Sequence, residues 1–376
     1  MTGALAGIRV VELGGIGPVP FAGMVLAELG ADVVRIDRPG ETNPLALAGG
    51  LRRSRPSVAA DLKHADGLAV VRRLVDAADV LLEGFRPGVA ERLGLGPDEC
   101  LARNPRLVHA RMTGWGQDGP LAQRAGHDIT YAAVSGSLHA LGPRERPVTP
   151  VPVLGDFGGG SMYLVTGVLA ALVARATTGR GQVVDAAMAE GAAHLLSTVH
   201  GMLATGLWRD EREANLLDGA APFYGVYECA DGRFVAVGAL EPQFWAELVE
   251  VLGVGPLGEQ YDPSTWPAQR EAFAAVFRRR TRDEWAEVFA GTDACVAPVL
   301  SLAEAPHHPH AVARGSFAPF GAGHVPVTPP RLSATPSLPP GREPTPGADT
   351  RRYLVEHGFD PVEVEALLAS GALGQA

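Results

Sequence analysis

Hydrophobic and polar positions alternate in short blocks along the first half of the chain. Residues 8–13 (Ile-Arg-Val-Val-Glu-Leu) form a β-rich run, and residues 20–29 carry helical spacing that stops at Gly30. Glycine closes a helix well because it takes the left-handed conformation without steric cost. Residues 31–36 predict a second strand. Leu68, Val71, Leu74 and Val75 share one face of a helix over 65–77, and 79–82 and 107–112 predict two more strands. Pro87 suits the first turn of a short helix. Strands separated by helices predict an α/β fold, a Rossmann-like domain with a parallel sheet covered on both faces.

The texture changes after Asp185. Residues 189–206 are helical, and 224–229 and 233–238 read as a hairpin across Ala230-Asp231-Gly232. Helices over 241–252, 267–279 and 282–290 follow, which predicts a smaller α+β domain. Residues 319–347 hold nine prolines and are expected to lack regular structure. A helical pattern over 362–368 closes the chain. The expected organisation is a large domain over 1–188, a linker helix over 189–222, a small domain over 223–312, and a return segment over 313–376 packing on the large domain.

Composition narrows the partners. The 376 residues are 46% hydrophobic and 20% charged, ordinary for a globular protein. A net charge of −10 argues against nucleic acid and anionic membranes. A local cluster of arginine and lysine can still hold a phosphorylated ligand. Three cysteines at irregular spacing (Cys100, Cys229, Cys295) read as reduced thiols of a cytoplasmic protein. No basic start followed by an apolar core suggests a signal peptide. The longest apolar stretch, residues 162–173, is interrupted by Thr166 and Gly167 and reads as too short to span a bilayer.

Candidate chemistry sits in two segments. Gly126-His127-Asp128 supplies an imidazole, and Gly155-Asp156-Phe157-Gly158-Gly159-Gly160 supplies a carboxylate. Moving a proton from one face of a carbon to the other needs two acid/base groups of this kind, and imidazole titrates near neutrality. Asp156 precedes a glycine run and an apolar helix, the position of an N-cap worth about 1 kcal/mol. Glycines there also admit a ligand to the backbone, and free amides at a helix start can stabilise an anion such as an enolate. Glu241 begins a helix, where an acidic group favours the dipole. Gly15-Ile16-Gly17-Pro18-Val19-Pro20 imitates a dinucleotide fingerprint, but Pro20 stands where the third glycine belongs, so no nicotinamide site is expected. His139 reads as structural. His307, His308 and His310 lie in a Pro-rich turn without carboxylate or thiol partners, and no metal site is expected there.

The chain resembles the family III CoA-transferase superfamily. The blocks that carry the resemblance include residues 7–13, 29–40 (Leu-Gly-Ala-Asp-Val-Val-Arg-Ile-Asp-Arg-Pro-Gly), 60–63, 85–88, 93–95, 104–107, 114–120 (Gly-Trp-Gly-Gln-Asp-Gly-Pro) and 179–185. Within the superfamily, His127, Asp156 and Glu241 in 238–244 are similar to the α-methylacyl-CoA racemases. The resemblance implies an acyl-CoA substrate, an interlocked homodimer, and no cofactor beyond the coenzyme A of the substrate itself. It implies His127 and Asp156 as the acid/base pair, with Glu241 of the other subunit orienting the histidine. It further implies CoA contacts at Arg38, Ala59, Leu62, Lys63, Gly84, Arg86, Met112, Gly114, Gly126, Asp128 and Tyr131. Two alternatives stay open: a CoA-transferase with Asp156 as nucleophile, and a CoA-ester-binding member with divergent chemistry. Pro152 departs from the racemases, where an asparagine often stands four residues before the aspartate and helps to orient it.

Overall fold

Six strands run parallel in one sheet: β1 (Arg9–Leu13), β2 (Asp32–Asp37), β3 (Ser57–Ala60), β4 (Val80–Glu83), β5 (Val108–Thr113) and β6 (Val183–Ala187). In the sheet they stand in the order β3-β2-β1-β4-β5-β6, the doubly wound arrangement of Rossmann-like domains. A two-residue strand, Leu373–Gly374, adds antiparallel to β3. The computed structural model describes residues 3–47, 49–255 and 257–376.

Both faces of the sheet are covered, so its strands are nearly all buried, with apolar centres and charged residues such as Glu12, Arg35, Asp37, Glu83 and Arg111 held in ion pairs. Successive residues alternate between two cores. Val10, Val33, Val80, Leu82 and Met112 pack under α1 (Pro18–Glu28) and under a later long helix. Val11, Val34, Ile36 and Leu81 pack against α2 (Ala65–Asp76) and the C-terminal Tyr353, Leu354 and Val364. Pro18 occupies the first position of α1, where its missing N–H costs nothing. Buried ion pairs tie β1 to β2 and to the segment before β3: Glu12 lies 3.5 Å from Arg35 Nη1 and 2.7 Å from Arg55 Nε.

After β5 the chain forms α3 (Asp128–Val134), and from Pro150 it returns as a π-helix (Val153–Ser161) running into α4 (Met162–Thr178). The π-helix was not legible in the sequence, and it corrects two expectations. Asp156 is not an N-cap: Pro152 holds that position, without a side-chain hydrogen bond. The apolar stretch is also longer than residues 162–173, because Val153–Thr178 is one 26-residue helical run, long and apolar enough to cross a membrane by length and composition. Its Leu164, Val165, Val168 and Ala171 are instead buried in the core, and Arg175 is buried against Asp79 at 2.9 Å.

The glycine run has a packing cause. α5 (Met188–Leu195) crosses the π-helix so closely that a Cβ on Gly159 would lie 2.5 Å from the Ala192 nitrogen, and one on Gly191 1.8 Å from the Gly159 carbonyl oxygen. The expected helix over 189–206 is two helices, α5 and Ser197–Ala204.

Gly136–Thr149 and Ser197–Val312 form a second compact unit; the first comprises the residues up to Ser135 with Pro150–Leu196 and Ala313–Ala376. The second unit holds the expected hairpin, β7 (Tyr224–Glu228) with β8 (Phe234–Gly238), extended by β9 (Val296–Pro298). Three helices, α6 (Pro242–Leu252), α7 (Trp266–Phe277) and α8 (Arg282–Phe289), pack on it around Phe223, Phe273, Phe277 and Trp285. The proline-rich segment is not wholly irregular. Phe317–Phe320 and Gly323–Pro326 pair antiparallel, with Pro319 and Pro326 tolerated because a two-stranded ribbon leaves outward amides unused.

Candidate functional site

The positions assigned to CoA by resemblance lie along one edge of the sheet. Arg38 follows β2, Ala59 lies one residue from the end of β3 with Leu62 and Lys63 beyond it, Gly84 and Arg86 follow β4, Met112 lies one residue from the end of β5 and Gly114 follows it. With the observed strand order these are all carboxyl ends, the side on which open α/β sheets bind ligands. Arg38, Lys63, Gly84 and Arg86 are exposed. Ala59 and Met112 are not: they are 1% and 2% exposed, and the Met112 side chain belongs to the core. The buried Tyr131 ring stands edge-on to Trp115 at 4.8 Å and rests against Gly114 and Gly126, where a Cβ would lie 2.2 and 2.5 Å from it.

His127 is the N-cap of α3 in extended conformation, and its side chain is exposed. A reciprocal pair fixes its backbone: its N–H donates to Thr130 Oγ1 at 3.0 Å, and the Thr130 hydroxyl donates to its carbonyl at 2.8 Å. Asp128 turns the other way. It is 5% exposed, and its Oδ2 accepts from the Gly155 N–H at 2.7 Å and the Asp156 N–H at 2.9 Å. Two of the amides at this helix start, those of Gly155 and Asp156, are therefore occupied by a carboxylate of the same chain.

Asp156 sits half-buried within the π-helix. Burial, reinforced by the negative charge of Asp128 and opposed by His127, pushes its carboxyl up to about 6. Burial also pushes Tyr131 up to about 12, with Asp156 adding to the rise and Arg86 opposing it. Asp156, His127, Asp128, Tyr131 and Arg86 thus share one electrostatic neighbourhood. On the other side stands Gly17, whose φ of 65° favours glycine and where a Cβ would lie 3.2 Å from Asp156 Oδ2. Phe157 contacts Phe21 of α1 with ring centroids 5.0 Å apart. The Ser161 hydroxyl joins Pro18 and Asp156, donating toward both carbonyls at 2.8 and 2.9 Å.

Glu241 belongs to the second unit, as the N-cap of α6. Its side chain makes no capping hydrogen bond and is exposed, and its charge helps to hold the Cys295 thiol up. His139 Nε2 lies 3.3 Å from Asp210 Oδ1. The His308 Nδ1 accepts the His310 N–H at 3.3 Å, and among the described residues no cluster of His, Cys, Asp and Glu is placed to hold a metal ion.

The sequence did not reveal the part played by the Asp128 side chain. Its partners lie 27 and 28 residues away and are assembled only by packing. Gly17 carried a signal, standing between a strand and a Pro-initiated helix, but the decoy fingerprint absorbed it.

A model of CoA-transferase family III matches residues 5–350. The chain belongs to this family. It is 47% identical over 365 residues to a mouse protein named α-methylacyl-CoA racemase, covering 96% of this chain and 95% of that one. A human protein of the same name is 46% identical over 369 residues, covering 97% and 96%. A crystal structure of a CaiB/BaiF family protein from Brucella suis superposes with a TM-score of 0.80 at 27% identity, over 95% of this chain and all of that one. Membership accounts for the order of the motif blocks; the chemistry turns on the site itself.

Proposed function

We propose that this protein interconverts the epimers of 2-methylacyl-CoA thioesters by proton transfer at the α-carbon. The observation that carries the reading is a carboxyl pushed up to about 6 in one electrostatic neighbourhood with an exposed imidazole. A racemase needs each of its two groups to be base in one direction and acid in the other. A carboxyl at the ordinary value is almost never protonated at pH 7, whereas one near 6 is protonated roughly a tenth of the time. High similarity to two proteins named as racemases supports the same assignment.

In this mechanism the thioester carbonyl acidifies the α-hydrogen. His127 or Asp156 removes it, and the other group returns a proton to the opposite face of the enolate. The enolate oxygen is held by donors other than the Gly155 and Asp156 amides, which Asp128 occupies. Arg38, Lys63 and Arg86 pair with the phosphates of CoA. The CoA moiety runs along the carboxyl edge past Ala59, Leu62, Gly84, Met112, Gly114, Gly126, Asp128 and Tyr131, where buried positions contribute through their backbone. No cofactor beyond the substrate's own CoA takes part. The protein acts in the cytoplasm as an interlocked homodimer, in which Glu241 of one subunit orients His127 of the other.

The test is incubation of one epimer of a 2-methylacyl-CoA in deuterated buffer without any acceptor acid. Epimerisation with deuterium at the α-carbon is expected. CoA transfer to an added carboxylate without α-exchange overturns the reading in favour of a transferase using Asp156 as nucleophile. Sedimentation at nanomolar concentration is expected to give about twice 39.2 kDa. A fully active monomer contradicts the role of Glu241.

A further inference from the structure

Asp128 presents an imbalance. A carboxylate taken out of water is costly unless its oxygens are hydrogen-bonded. At 5% exposure, only Oδ2 is satisfied, by the Gly155 and Asp156 amides at 2.7 and 2.9 Å. Among the described residues Oδ1 has no hydrogen-bond partner. A buried polar atom left unpaired calls for an explanation in function or strain.

What the paired oxygen holds supplies that explanation. The start of the π-helix has no side-chain cap of its own, since Pro152 occupies the position. Asp128 reaches across from the first turn of α3 and fastens it by two charge-assisted hydrogen bonds, one of them to the amide of Asp156 itself. The two segments are in close contact: a Cβ on Gly155 would lie 3.2 Å from the Asp128 Cα.

We infer that Asp128 is a positioning residue for Asp156: it clamps the start of the π-helix and sets a fixed negative charge beside the Asp156 carboxyl. This inference rests on the proposed role of Asp156. It fills the place left by Pro152, supporting the aspartate through its backbone rather than its side chain. The raised proton affinity of Asp156, partly due to Asp128, agrees with it.

Other charges on the packed elements are engaged elsewhere or oppose the effect. His127 lowers the Asp156 value. Glu28 of α1 pairs with Arg53 at 2.7 Å, and Arg111 of β5 with Glu83 at 2.8 Å. His109 of β5 contacts the Leu95 carbonyl at 2.9 Å, and Asp185 of β6 lies with Arg111 and Gln117. On α5, Glu190 is exposed and His194 contacts Tyr163 of α4 at 2.5 Å. Tyr131 and Arg86 complete the set.

Asp128→Asn keeps an acceptor for the two amides and removes the charge, whereas Asp128→Ala removes both. The direct readout is a carbon-13 NMR titration of the Asp156 carboxyl in wild type and Asp128→Asn, which does not require activity. The Asp156 midpoint is expected to fall by about one pH unit in Asp128→Asn, the scale of a nearby like charge. The limb of kcat that reports Asp156 as base should move to lower pH with it. Asp128→Ala, checked for folding by circular dichroism, should lose about 10²-fold in kcat, with KM for the CoA ester changing by less than about 3-fold. An unchanged Asp156 midpoint in Asp128→Asn overturns the charge effect. Loss in KM alone overturns the positioning role and makes Asp128 a CoA contact. Wild-type protein that shows no α-exchange defeats the racemase reading instead, and the NMR titration still decides whether Asp128 governs Asp156.

Discussion

Gly159→Ala separates two explanations of the glycine run that carries Asp156. If the glycines admit a ligand, a methyl group at Gly159 should weaken substrate binding and leave the fold intact. The structure predicts otherwise. The new Cβ would lie 2.5 Å from the Ala192 nitrogen, 2.7 Å from the Leu154 carbonyl oxygen and 2.9 Å from the Gly191 carbonyl carbon. All three are backbone atoms, so no rotamer change relieves the overlap, and α5 and the π-helix have to move apart. Overpacking of this kind costs about 1–3 kcal/mol. For a chain of this size that is a fall in Tm of roughly 1–4 °C. The displaced helix turn contains Asp156, and a shift of about 1 Å in a reacting group can cost on the order of 10²-fold in rate. Gly201 provides the control. It lies inside the helix Ser197–Ala204 with nothing within 4 Å of a Cβ, so Gly201→Ala should hold or raise Tm by the helix preference of alanine, about 1 kcal/mol at most. The assay is thermal unfolding by circular dichroism together with turnover of a 2-methylacyl-CoA. A Gly159→Ala protein with wild-type Tm and kcat, altered only in KM, refutes the packing argument.

Three further outcomes follow from the charged groups of the first unit. With Asp156 pushed up to about 6, the rate in the direction that uses it as base should rise with pH through about 6. In the direction that uses it as acid the rate should fall through the same value; kcat measured from each epimer between pH 5 and 9 checks this, and matching limbs near 4 contradict it. Because burial favours the protonated form in the folded state, ionising Asp156 opposes folding above about 6, so Asp156→Asn should raise Tm at pH 8 and leave it nearly unchanged at pH 4. Glu83→Ala leaves the buried Arg111, 2.8 Å from Glu83, with only the Glu91 carboxylate at 2.9 Å, and strands the Phe85 amide, 2.7 Å from the Glu83 carboxylate, at the end of β4. Because Glu91 still faces Arg111, the loss should fall below the about 3–5 kcal/mol of a fully broken buried pair, readable by urea unfolding, with Glu83→Gln milder because it keeps an acceptor for Phe85.

Much of the first unit was legible in the sequence because local signals agree there. Pro18 and Gly30 punctuate α1, and β1, β2, β4 and β5 are short β-branched-rich or apolar-rich runs between helices. β3 escaped notice because Ser57–Ala60 is four residues with neither alternation nor bulky side chains; it is a strand only because β2 and the C-terminal Leu373–Gly374 pair with it. The π-helix was hidden by Gly158–Gly160, which are weak helix formers and are held helical by the packing of α5 on them. At the site, the residue types and spacing pointed to His127 and Asp156. The inward turn of Asp128 depends on contacts 27 and 28 residues away and had no sequence signature.

The measurement that tests the central claim most directly is epimer-resolved α-exchange by His127→Ala and Asp156→Ala in deuterated buffer. Each variant is expected to lose net epimerisation by about 10²–10⁴-fold, the usual contribution of a positioned acid or base. Each should keep residual exchange on only one epimer, and the two variants should retain opposite epimers, because the surviving group faces one side of the α-carbon. Normal epimerisation by either variant, or residual exchange on the same epimer in both, contradicts a two-base racemase built from His127 and Asp156.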